Sequence, residues 1–248
     1  MGTALVAGGA SGIGAAVVQR LRERGDNVVI ADIAEEAGQS LALKKLEGTA
    51  TFTTTDFTSV EQIKNAVRLT AELGDGTIDT IFYNPAVLVA KGLSEWTLKD
   101  WDDSLSVNLR GAFFTVQAAQ TALAKSKAGR VILNASTGSF RGHAGMPAYH
   151  ASKAGMLGLV RSLADELASD GTTVNAVCPG WIDTAFNASF WEHQANPKEA
   201  MSSLLNNIPM RRQGDPDEVA KVVLFLASSD SSYITGQSII IDGGYTAV

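Results

Sequence analysis

The chain is poor in the residues that staple or metallate small proteins: 248 residues hold one cysteine, three histidines and six prolines. Cys178 alone cannot form an internal disulfide, which is compatible with a reducing compartment, and its expected place is a small buried hydrophobe. Three His and one Cys leave little material for a transition-metal site, and His193 has no evident metal partner. No apolar run reaches the ~18 residues that a membrane helix needs. The opening Met1-Gly2-Thr3-Ala4-Leu5-Val6-Ala7 has no basic leader and meets glycines too soon for a signal peptide. Val6 stands where a myristoylation pattern needs Ser or Thr. Long basic runs are absent and the net charge is -6, which argues against nucleic acid as the main partner. The expectation is a cytoplasmic protein with neither a nucleic-acid nor a membrane partner.

What is present is an ordinary globular composition, 45% hydrophobic and 19% charged. Short β-branched runs recur at residues 3–7, 27–31, 50–54, 80–83, 130–134, 173–177 and 238–241. Most are apolar on consecutive residues, as strands covered on both faces are. Helical stripes lie between them: Ile13, Val17, Leu21; Trp101, Leu105, Leu109; Leu159, Leu163, Leu167; Val219, Val223, Ala227. Such alternation predicts an α/β fold of Rossmann type, a doubly wound, seven-stranded parallel sheet with helices on both faces. No linker or repeat interrupts it, so residues 1–248 read as one domain. Residues 183–212 carry no strand pattern and are rich in aromatics, which predicts a lid or substrate loop.

After the first strand comes Gly8-Gly9-Ala10-Ser11-Gly12-Ile13-Gly14, where a helix starts and Ser11 can cap it. Glycines let the backbone approach a pyrophosphate, and a helix N-terminus offers free N–H groups to an anion. Asp32 ends the second strand, eighteen residues past Gly14. An acid there bonds adenine ribose hydroxyls and repels a 2′-phosphate, and no Arg or Lys directly follows it, which favours NAD over NADP.

Tyr149 and Lys153 lie four apart at the start of a helical stretch, hence on one face. Tyrosine with a reference pKa of ~10 is a poor base near neutrality, and reaching ~7 needs about 4 kcal/mol of differential stabilisation. An ammonium alongside favours the phenolate. Ser136, thirteen residues earlier, ends the fifth strand and can hold a substrate oxygen. Asn108 sits mid-helix between apolar neighbours, either as a satisfied core amide or as the anchor of a relay water.

Taken in order, these motifs resemble the short-chain dehydrogenase/reductase family, single-domain NAD-dependent type, over essentially the whole chain. The resemblance implies hydride transfer between nicotinamide and a secondary alcohol or ketone, with Tyr149 as general acid/base. It implies that Lys153 lowers the Tyr149 pKa and bonds the nicotinamide ribose, that Ser136 orients the substrate oxygen, and that Asn108 holds a relay water. Cofactor contacts are implied at Gly8, Ser11, Gly12, Ile13, Gly14, Asp32 and Ile33. Asp56 and Phe57 would flank the adenine, Asn84, Pro85 and Ala86 would pack near its ribose, and Pro179, Gly180, Ile182 and Thr184 would line the nicotinamide side. A homotetramer is implied as well. Two departures stand out: Ala7 replaces a usual Thr, and Tyr83-Asn84-Pro85-Ala86 replaces Asn-Asn-Ala-Gly. The second removes a small amide and a backbone donor, and is expected to spare the fold while shifting cofactor binding modestly. A dehalogenase of the same fold would have Arg in place of Lys153 and no glycine turn. A silent NAD-binding sensor or scaffold has no need of Asn108, Ser136, Tyr149 and Lys153 together.

The substrate is less legible. Trp181, Phe186, Phe190 and Trp191 suit either an apolar cover for a ring or packing of the loop on the body. Arg141 and His143 suit either a polar substrate contact or a solvated loop.

Overall fold

A computed structural model describes residues 2–248. Seven parallel strands form one sheet: β1 (Thr3–Ala7), β2 (Asn27–Asp32), β3 (Ala50–Thr54), β4 (Thr80–Tyr83), β5 (Arg130–Asn134), β6 (Thr173–Pro179) and β7 (Ser238–Ile241), in the order β3-β2-β1-β4-β5-β6-β7. The strands begin where the sequence placed them, while β2 and β6 run one and two residues further, to Asp32 and Pro179.

Alternate side chains of a strand face opposite ways, and β1 shows the consequence. Leu5 and Ala7 join one core with α3 (Val60–Leu73), α5 (Gly111–Ser126) and α6 (Pro147–Leu167). Ala4 and Val6 join the other, with α1 (Gly12–Glu23) and α9 (Pro216–Leu226). Burial on both faces explains why the strand sequences run apolar without alternation. A bidentate pair from Arg20 to Asp217 ties α1 to α9.

The strand order reverses between β1 and β4, and a crevice opens there at the carboxyl ends of the strands, the place where open α/β sheets bind ligands. Two expectations need correction. The Trp101–Leu105–Leu109 stripe is not a continuous helix face: α4 (Leu98–Leu105) gives way to a π-helical turn, Ser106–Arg110, before α5, and Trp101 is 42% exposed. An inserted residue breaks the 3.6 period that the stripe assumes. The 183–212 segment has no strand, as its pattern indicates, but its expected loop holds two helices, α7 (Ala188–Glu192) and α8 (Pro197–Asn207), after a short 3-10 turn. α2 (Glu35–Ala42) completes the helices among the described residues.

Close packing of the first turn rests on Gly14, where a Cβ would stand 1.9 Å from the Gly8 carbonyl oxygen. Backbone on both sides leaves no flexible neighbour to yield. Gly14→Ala is expected to cost about 1–3 kcal/mol, and a thermal melt with the midpoint unchanged would show that this contact is not limiting.

Candidate active site

The crevice continues into a cavity of roughly 440 Å³. Its floor at one end is the β1–α1 turn. Gly8 and Gly12 adopt φ of +65° and +50°, in the left-handed region that glycine tolerates without penalty. Ser11 is the N-cap residue, yet its side chain makes no capping bond. The expected cap is absent, and the first N–H groups of α1 are left to whatever the turn binds. Gly8, Ser11, Gly12 and Ile13 line the cavity, whereas Gly14 is buried behind the turn as its packing contact.

Asp32 closes the same end. Its carboxylate accepts from Ala10 N at 2.9 Å and Ala34 N at 3.0 Å, which fixes it against the turn. Ile33 beside it is 72% exposed and forms the rim. Among the described residues, no arginine lines the cavity, and Lys153 is its only lysine.

Asn84, Pro85 and Ala86 form one wall. Asn84 donates to the Gly8 carbonyl at 2.9 Å and accepts from Asn134 Nδ2 at 2.7 Å. Asn134 lines the cavity and its Oδ1 is buried without a protein partner. The opposite wall carries Pro179, Gly180, Ile182 and Thr184. Asp56 and Phe57 are not in the lining. Asp56 accepts from the Thr58 backbone and hydroxyl, and Phe57 is buried in the core, edge-on to Tyr83 with ring centres 5.4 Å apart. An aromatic ring after a strand is better buried than left at a polar cofactor edge.

Ser136, Tyr149 and Lys153 meet at the other end. Ser136 lies two residues past β5, as the N-cap of a 3-10 turn, and its hydroxyl accepts from Gly138 N at 2.9 Å. Pro147 begins α6, so Tyr149 and Lys153 fall in its first two turns and point inward. Lys153 is 1% exposed and donates to the Asn134 carbonyl at 2.5 Å. Burial drives both groups toward neutrality: Tyr149 is raised above its ordinary pKa, and Lys153 falls to about 7. A hydrogen bond from Ser136 partly opposes the rise at Tyr149. In the protein alone, desolvation at Tyr149 outweighs any help from Lys153, whose own charge burial discourages; the expectation joins Lys153 to the positive charge of the nicotinamide.

Asn108 is fully buried and does not line the cavity. Its amide brackets Val87, accepting from N at 2.7 Å and donating to O at 3.0 Å, and donates to Ser152 Oγ at 3.0 Å. Ser152 in turn donates to the Tyr149 carbonyl at 2.7 Å. The amide is therefore engaged with protein groups on both its oxygen and its nitrogen.

Residues the sequence did not mark complete the substrate end. These are Leu88, Met146 and His150, which line it together with His143, Trp181 and Phe186. His143 N–H donates to His150 Nε2 at 2.9 Å, and His150 Nδ1 stands 2.9 Å from the Gly138 carbonyl. One partner can only donate and the other only accept, so Nε2 accepts and Nδ1 donates. Neither Arg141 nor His143 is simply solvated: Arg141 lies over the Tyr245 ring at 4.2 Å, and His143 stacks on the same ring and touches Trp181. Burial lowers the His143 pKa first, with His150 and Arg141 adding to it. Cys178 is buried as expected, and its thiol is pushed up to about 11. No group of metal-ligating side chains occurs among the described residues.

Known proteins share this arrangement. A family model described as enoyl-(acyl carrier protein) reductase matches residues 8–246. Short-chain dehydrogenase reductase 3a of Arabidopsis thaliana is 36% identical, covering 99% of this chain and 95% of its own. The 3-oxoacyl-(acyl carrier protein) reductase of Thermotoga maritima is also 36% identical, over 97% of this chain and 96% of that one. The crystal structure of levodione reductase superposes with a TM-score of 0.91 at 29% identity, covering 99% of this chain and 97% of that one. Whole-length matches of this kind, on a seven-stranded parallel sheet, make the chain a member of the short-chain dehydrogenase/reductase family, oxidoreductases that work with a nicotinamide cofactor.

Proposed function

We propose that the chain is a one-domain NAD-dependent dehydrogenase/reductase that interconverts a small secondary alcohol and its ketone, with Tyr149 as general acid/base. The observation that carries this reading is a single cavity in which Ser136, Tyr149 and Lys153 stand at one end and the Asp32 carboxylate at the other. The cavity suits a nicotinamide dinucleotide on three counts: a turn held open by two left-handed glycines, an unengaged helix N-terminus, and the unpartnered Asn134 Oδ1. Asp32 without a nearby arginine supports NAD, since a 2′-phosphate would meet a carboxylate with no cation to offset it.

The turn, Asp32 and the Thr184 side would hold the cofactor, which when bound accepts or supplies the hydride and, oxidised, adds a positive charge. The chain's own residues handle the proton. In reduction the Tyr149 phenol donates to the forming alkoxide while Ser136 holds the same oxygen. In oxidation the phenolate accepts the alcohol proton. Burial makes that phenolate costly in the protein alone, so the added charge and a protonated Lys153 together must offset it. Leu88, Met146, Trp181 and Phe186 leave an apolar site for a neutral substrate body. These features, with a net charge of -6, support a small molecule rather than nucleic acid or a membrane as partner. No helix among the described residues is long and apolar enough to cross a membrane. Exposed Leu98, Trp101, Phe113, Phe225 and Ile240 support assembly with further copies, the homotetramer included.

NADH formation over a panel of secondary alcohols and cyclic diols tests the reading. Turnover is expected with NAD, at least tenfold weaker with NADP, and reduced by about two to four orders of magnitude in Tyr149→Phe. Turnover with NADP alone would overturn the role of Asp32, and tight NAD binding with no turnover would leave a sensor. Light scattering is expected to give four times the 26.0 kDa chain mass, and a monomer would remove the assembly.

The Lys153 shift predicts a stability effect with a definite sign. Its folded pKa of about 7 lies below the ordinary 10.5, so the unfolded chain binds more protons between these values and stability falls as pH drops from 10.5 to 7. Lys153→Met should abolish turnover yet melt higher than the parent at pH 7, with the gain fading toward pH 10. A gain that grew with pH would contradict the assignment.

A further inference from the structure

Tyr83 ends β4 fully buried, at a position where the resemblance leads one to expect a small amide. Its hydroxyl donates to the Val107 carbonyl at 2.6 Å. In an uninterrupted α-helix that carbonyl would accept from Gly111 N–H, four residues on. Here Gly111 N–H goes to the Ser106 carbonyl instead, five residues back, which is what makes Ser106–Arg110 a π-helical turn. Tyr83 thus takes up the carbonyl that the inserted residue displaces.

The fit is built on both sides. Phe57 packs edge-on against the Tyr83 ring, and a Cβ on Gly111 would stand 2.3 Å from the Tyr83 hydroxyl, so only glycine admits the phenol there. Burial raises the Tyr83 pKa well above its ordinary value and keeps the group a donor. Asn108 is the middle residue of the same turn. Adding or removing one residue rotates a helix by roughly 100° at that point, so the turn decides whether the Asn108 amide faces Val87 and Ser152 or not.

We infer that Tyr83 is a positioning residue: its hydroxyl holds the π-turn in the register that aims Asn108 at Val87 and Ser152, and through Ser152 it sets the backbone of Tyr149. The inference rests on the proposed role of Tyr149, and its test separates the two.

Tyr83→Phe keeps the ring and removes the donor. Expected is a fall in kcat of about tenfold, the size of one lost hydrogen bond converted at ~1.4 kcal/mol per decade, with the KM for NAD within about twofold. In an Asn108→Ala background the same substitution should cost almost nothing more, since its effect runs through the amide already removed. A merely structural role would give the same loss in both backgrounds. Hydrogen exchange on the full-length protein supplies a readout independent of turnover: amides of residues 106–112 should exchange faster in Tyr83→Phe, and those of α1 should not. Unchanged kcat, equal losses in the two backgrounds, or unchanged exchange at 106–112 would each overturn the inference. Full activity in Tyr149→Phe would instead sink the acid/base reading, while exchange would still decide whether Tyr83 holds the turn.

Discussion

One line of hydrogen bonds crosses the site from the glycine turn to the lysine. Asn84 donates to the Gly8 carbonyl, Asn134 donates to Asn84, and Lys153 donates to the Asn134 carbonyl, at 2.9, 2.7 and 2.5 Å. The three receiving points sit at or just beyond the ends of β1, β4 and β5, adjacent strands of the sheet. Parallel strands in register bring those ends level, so the sheet sets the spacing and the amides pin it. The glycine turn cannot shift without moving Asn84, and Lys153 cannot swing without orphaning a buried carbonyl. Pro85, the departure expected to disturb this wall, lies against Gly8, where a Cβ would stand 2.8 Å from its nitrogen. Losing the proline N–H costs little, because the Asn84 side chain and not the backbone at 85 makes the bridge.

The same rigidity makes the chemistry conditional. A phenol and an amine held in a dry site both prefer to be neutral, which suits a proton donor and disfavours a base. A buried charge is tolerated only with a partner. On the proposed reading, the protein accepts an unfavourable pair of pKa values at rest and relies on an added cation to right them. Lys153 has no carboxylate among its hydrogen-bond partners, only a carbonyl, so its charge stays available to act on the tyrosine.

Much of this was legible in the sequence. All seven strands are marked by β-branched runs, and in the five inner ones burial on both faces leaves composition little choice. The placement of the glycine turn, Asp32, Ser136, Tyr149 and Lys153 round one cavity was legible because each sits at a particular distance from a strand end. Phe57 misled, since the position beside Asp56 says nothing about which way a ring turns. The π-turn left a trace only in hindsight: a 101/105/109 stripe is the pattern of a regular helix, and periodicity cannot register one inserted residue. Asn134 and His150 were missed because their partners are backbone groups, and a backbone acceptor has no letter in a sequence.

The loop aromatics show the limit most clearly. Composition left Trp181, Phe186, Phe190 and Trp191 evenly divided between covering a substrate and packing on the body. Trp181, Phe190 and Trp191 sit with ring centres 4.7 to 5.3 Å apart, and Leu204, Ile208 and Tyr245 form a small core beside them. Phe190 and Trp191 therefore pack the loop onto Trp181 and His143, and of the four only Trp181 and Phe186 reach the cavity. Aromatic pairs at such distances gain about 0.5–1.5 kcal/mol each beyond their buried area. That helps tie the 30-residue insertion to Trp181 and to the C-terminal Tyr245, in a small core separate from the two cores of the sheet.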